Sequence, residues 1–147
     1  MRLGLEIHRT VDLSVSRRRQ RLFLYRLWTR VRFKSTMGGW GDDHVAIVDT
    51  GAPYSVIPLS LQPAMRVQKL VELPLRGIIP GKTAELDAVL AKISGRLLDP
   101  KRLSPPLTLW AMLATTDQVP LILGWAGCLD HAKLVVDAPR SQAWLEF

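Results

Sequence analysis

The chain has 147 residues, 48% of them hydrophobic and 22% charged, the balance of an ordinary folded domain and not of a disordered chain. That length suits one domain whose core needs no disulfide or metal staple. A single cysteine, Cys128, excludes an internal disulfide framework and a multi-cysteine zinc site, and the three histidines, His8, His44 and His131, are scattered.

No run approaches the roughly 20 apolar residues of a membrane-spanning helix, and residues 1–10 lack the continuous apolar segment of a signal peptide. The expectation is a cytoplasmic protein with no membrane partner. The net charge of +7 is concentrated in Arg17, Arg18, Arg19 and Arg21, continuing through Arg26, Arg30, Arg32 and Lys34. A phosphate-binding patch also needs aromatic platforms or a recognisable module. None is visible, so the cluster is read as a solvated arm or the outward face of a strand pair, and nucleic acid is not expected as a partner.

In chain order, Leu3, Leu5, Ile7 and then Val11, Leu13, Val15 alternate with polar residues, which suggests short strands or an ordered arm. Alternation resumes over residues 22–33 with the basic side chains outward. Gly38, Gly39 and Gly41 with Asp42 and Asp43 mark a turn, and residues 45–48 complete a hairpin that delivers Asp49. Residues 54–59 read as a further strand, and residues 60–66 as one helical turn. Residues 70–75 alternate. Two glycines, Gly77 and Gly81, then bracket Ile78, Ile79 and Pro80, a pattern suited to a hairpin tip.

Residues 84–93 alternate as a long strand, despite several good helix formers. Pro100, Pro105 and Pro106 confine a loop before a buried strand over 107–114. An apolar strand over 119–124 ends at Gly124, a helix of two turns is expected over 125–132, and two last strands occupy 134–137 and 143–147. Many short strands separated by turn signals indicate a small all-β, barrel-like domain.

The stretch that carries chemistry is Ala46-Ile47-Val48-Asp49-Thr50-Gly51-Ala52, an acidic residue in a Gly-containing turn between apolar strands. It resembles the active-site loop of retropepsin-like aspartic proteases. The triplet alone is weak evidence, because Asp and Gly are common in turns. A second segment, Leu121-Ile122-Leu123-Gly124-Trp125-Ala126-Gly127-Cys128-Leu129-Asp130, is similar to the Leu-Leu-Gly-Arg segment of the bacterial single-domain members, and Trp110-Ala111-Met112 loosely matches another of their strands. The resemblance covers residues 26–147. Residues 1–25 are a basic N-terminal arm or extra strands outside it.

The resemblance implies a closed retropepsin-like barrel with one short C-terminal helix, acting as a homodimeric endopeptidase on polypeptide substrates, without cofactor or metal. Two carboxylates must share one proton, one as base on water and the other as acid on the scissile carbonyl. Only one such triplet exists here, so Asp49 of each chain would meet at a two-fold axis. Thr50 would brace the pair across the dimer, Gly51 would permit the turn, and Ala52 would stay small against it. Gly77, Ile78, Ile79 and Gly81 would belong to a flap over the substrate. The terminal strand, residues 143–147, would interdigitate with its mate, unless Trp144 and Phe147 are core residues. Pro53, Pro80, Trp125 in place of Arg, and Cys128 in place of Phe depart from the family pattern. A second reading is therefore a peptide-binding or dimerisation module with little turnover. Cys128 is expected to be an inert core thiol.

Overall fold

A computed structural model describes residues 1–12, 21–75 and 86–147. It is built of strands: β1 (Arg2–Val11), β2 (Phe23–Phe33), β3 (His44–Val48), β4 (Ser55–Ile57), β5 (Val67–Leu75), β6 (Leu86–Leu98), β7 (Leu107–Ala114), β8 (Ile122–Leu123), β9 (Lys133–Asp137) and β10 (Gln142–Glu146). Their order is β5-β6-β7-β4-β8-β3-β2-β1-β10-β9, and β6 also pairs with β2. Strand pairing therefore runs from β6 through β7, β4, β8, β3 and β2 and returns to β6. The all-β expectation holds.

Side-chain alternation explains both the core and the long apolar runs of the sequence. Successive residues of a strand point to opposite faces. Ala91, Ala111, Ile57 and Leu123 belong to the larger core cluster with Val31, Phe33, Ala46 and Val48. Their immediate neighbours Leu90, Met112, Val56 and Ile122 form a second cluster on the opposite face. Strands β4, β6, β7 and β8 are thus apolar on both sides, at least in part. By contrast, β2 alternates buried Thr29, Val31 and Phe33 with Arg30 and Arg32 on the outer face, and Lys34 follows directly after the strand. Its partner in the hairpin is β3, with Leu27 opposite Val48. The outward reading of this part of the basic cluster is correct.

Two expectations are corrected. The two-turn helix over 125–132 is absent, and only Leu129–His131 forms a single 3₁₀ turn. Gly127 has φ +77°, a left-handed conformation that interrupts helix propagation, and the Ala126 carbonyl is already taken by the Trp110 N–H at 3.0 Å. The terminal strand β10 is also not free to interdigitate with a mate, because β1 and β9 of its own chain occupy both its edges. Leu145 is fully buried and Phe147 packs against the core. Strand β1, which the family resemblance does not cover, pairs with β10 over residues 2–5 and with β2 over residues 6–11.

Asp99 fastens this terminal layer to the rest. Its carboxylate accepts from the N–H groups of Gly4 (2.9 Å), Lys101 (2.7 Å) and Arg102 (2.8 Å). Burial pushes the Asp99 carboxyl up, but the three N–H donors outweigh it and hold it below the usual value. Because the folded value is depressed, the stabilisation is complete above the ordinary carboxylate value of about 4 and is lost as pH falls through the folded value. An Asp99→Asn variant should therefore unfold at lower urea than the wild type at about pH 6, with the gap narrowing below about pH 4. A gap that is the same at both pH values would contradict this role.

Candidate active site

Asp49 follows the last residue of β3 and is held from both sides of the turn. Parallel pairing of β3 with β8 places the Ile47 N–H on the Leu121 carbonyl (2.9 Å) and the Asp49 N–H on the Leu123 carbonyl (3.0 Å). The chain then reverses, with the Ala52 N–H on the Asp49 carbonyl at 3.3 Å. The Gly51 N–H donates to Asp49 Oδ1 at 2.8 Å. Asp49 itself is half-buried, whereas Thr50 and Gly51 are exposed. A Cβ on residue 51 would stand 3.2 Å from Oδ1, so any side chain there would press on the carboxylate. The result is an acid with one oxygen oriented by the backbone, on an open face of the protein.

Residues 124–126 form the floor beneath this turn. The Trp125 N–H donates to the Ala52 carbonyl (3.0 Å) and the Ala126 N–H to the Pro53 carbonyl (2.9 Å). The fully buried Ser55 hydroxyl accepts from the Gly124 N–H at 3.2 Å. Contact is so close that a Cβ on Gly124 would lie 2.4 Å from the Tyr54 carbonyl oxygen and 2.6 Å from that of Ala52. Only glycine fits this approach. Pro53 lacks an N–H donor, but its carbonyl accepts from Ala126, so this proline does not open the floor.

Trp125 has a role that sequence reasoning missed. Its indole N–H donates to the Thr50 carbonyl at 2.6 Å, although 44% of the residue remains exposed. Trp125 therefore braces the Asp-Thr-Gly turn within its own chain. No sequence pattern announces such a bond; only the similarity of residues 121–130 points to the place. Trp125→Phe keeps the ring and removes the donor. It should lower stability by about 1 kcal/mol and slow any turnover roughly tenfold through a looser carboxylate. Urea unfolding beside steady-state kinetics checks this, and an unchanged kcat would remove the bracing role.

Ala52 and Tyr54 pack against the second apolar cluster of Val56, Leu90, Met112 and Ile122. The carboxylate turn thus borders an apolar wall on the outer face of β4, β6, β7 and β8. The flap residues Gly77, Ile78, Ile79 and Gly81, with Pro80, lie outside the described residues, as do Leu13, Val15 and Arg17–Arg19. Cys128 is completely buried, and burial, with a smaller contribution from Asp130, pushes its thiol up to about 12. It is held as the unreactive thiol. Among the described residues no three His, Cys, Asp or Glu side chains gather as metal ligands, and no helix is long and apolar enough to cross a membrane.

No family model matches the chain, and neither a curated protein nor a solved structure matches it. The functional reading rests on the residues and their geometry.

Proposed function

We propose that the protein is an aspartic endopeptidase of retropepsin-like fold, active as a homodimer in which two Asp49 carboxylates activate one water. The observation that carries this reading is the Asp49 turn: an exposed-side carboxylate with one oxygen fixed by the Gly51 N–H at 2.8 Å, on a floor that admits only glycine at position 124.

The circuit of strands from β6 back to β6 supports a closed barrel, and the order of its parts is consistent with the retropepsin plan. In the proposed reaction, one carboxylate of the pair takes a proton from the water while the other, protonated, donates to the scissile carbonyl. Two carboxylates close enough to share one water cannot both ionise cheaply, which keeps one proton in the pair. The buried cluster of Val56, Met112 and Ile122, on which Ala52 and Tyr54 pack, backs the Asp49 turn from beneath. The test is cleavage of a denatured protein or peptide library between about pH 3 and pH 7, with sedimentation at micromolar concentration. Cleavage by a dimer is expected; cleavage by a strict monomer would contradict the shared pair.

A further inference from the structure

The outer face of β5, β6 and β7 carries a groove of about 530 Å³ lined by Lys34, Arg66, Gln68, Lys92, Ser94 and Thr108. Among the described residues three cations line it and no acid does. Arg96 extends the charge, being two residues from Ser94 on the same face. Arg32, directly opposite Arg96 in the sheet, is neutralised by its ion pair with Asp43. Lys34, Arg66, Lys92 and Arg96 make no ion pair with a carboxylate among the described residues. Four uncompensated cations on one face repel one another, an arrangement that favours a bound anion.

Two indoles hold three of these four cations. Lys92 Nζ lies 4.6 Å from the Trp110 ring centre, and Lys34 Nζ and Arg96 Cζ lie 5.5 Å and 5.6 Å from that of Trp40. Such contacts hold a flexible cation in place. They also place a cation over one face of each indole, and Trp110 packs on the second apolar cluster as well.

The groove is continuous with the wall beside Asp49. Leu90 and Met112 lie two residues from Lys92 and Trp110 along β6 and β7, and Trp110 itself packs on the apolar cluster that includes Ala52 and Tyr54. From β7 across β4 and β8 to β3 is three strand spacings, about 15 Å or some five residues of extended chain. We infer that this groove docks an acidic segment, rich in Asp or Glu, of the polypeptide presented to the Asp49 site. The inference rests on the peptidase reading, because it is the adjacent carboxylate turn that makes the occupant a polypeptide.

Binding is tested without turnover, so that the two readings fail separately. A fluorescein-labelled decaglutamate peptide is titrated with the full-length chain by anisotropy at low salt, beside a labelled oligothymidylate of equal charge. Decaglutamate should bind more tightly, and equally well to Asp49→Asn. The double reversal Arg66→Glu/Lys92→Glu should weaken it at least tenfold, while Lys133→Glu/Arg140→Glu, with the same change in net charge far from the groove, should alter it less than twofold. Thr108→Glu puts a carboxylate at an exposed groove position and should weaken binding at least threefold even if the double variant fails to fold. Equal effects of the groove and control variants, or no effect of Thr108→Glu, would overturn the proposal. Tighter binding of oligothymidylate would overturn it in favour of a nucleic acid. Decaglutamate binding without any proteolysis would sustain the dock and remove the peptidase reading.

Discussion

Asp49→Asn is expected to lower kcat for peptide hydrolysis by about 10³- to 10⁴-fold while leaving the fold intact. The amide keeps the shape of the side chain and keeps an oxygen to accept from the Gly51 N–H, so the turn retains its geometry. What it loses is the ability to take a proton from water. In the proposed dimer both subunits carry the change, and the pair of amides holds no transferable proton at any accessible pH. Circular dichroism and the urea midpoint should match the wild type within experimental error. Equal cleavage by both proteins would show that a different group does the chemistry.

The largest effect on stability is expected at Gly127. Its φ of +77° is one that a side chain rarely adopts, and a Cβ there would stand 1.9 Å from the Thr108 carbonyl oxygen and 2.9 Å from the carbonyl carbon. Those atoms belong to the backbone of β7, which cannot rotate away as a side chain could. The same contact is fixed by the Trp110 N–H on the Ala126 carbonyl. Left-handed strain and the forced separation of two backbones together should destabilise Gly127→Ala by about 4 kcal/mol or more. That corresponds to a fall in Tm of roughly 10 °C for a chain of this size. The floor under Asp49 would open with it, since residues 124–126 carry the turn. A thermal scan showing less than half that fall would mean that residues 124–128 can move away from β7 without loss.

The strands were legible wherever alternation or punctuation was strong. Residues 107–114 lie between Pro106 and a polar turn, and the strand was read with the bounds observed for β7. The hairpin that delivers Asp49 followed from alternation on β2 and the glycines at 38, 39 and 41. Residues 125–132 misled because their composition allows a helix, whereas the decisive fact is a single glycine held at positive φ by contact with β7, which no local pattern encodes. The role assigned to β10 failed for a similar reason: Leu3 and Leu5 announce a strand, but not that it takes the edge a dimer mate was expected to use. The brace from Trp125 to Thr50 and the gathering of Lys34, Arg66, Lys92 and Arg96 join residues far apart in sequence. Only the pairing of β2, β5, β6 and β7 brings those cations to one face.

Whether catalysis needs one Asp49 from each of two chains is tested most directly by subunit mixing. A fixed amount of wild type is equilibrated with increasing Asp49→Asn, under conditions where subunits exchange, and peptide cleavage is measured. Each mixed dimer holds a single carboxylate, so activity should fall in proportion to the wild-type fraction of the total chains. Activity that stays constant as the variant is added would mean that each chain works alone, and the shared pair would be excluded.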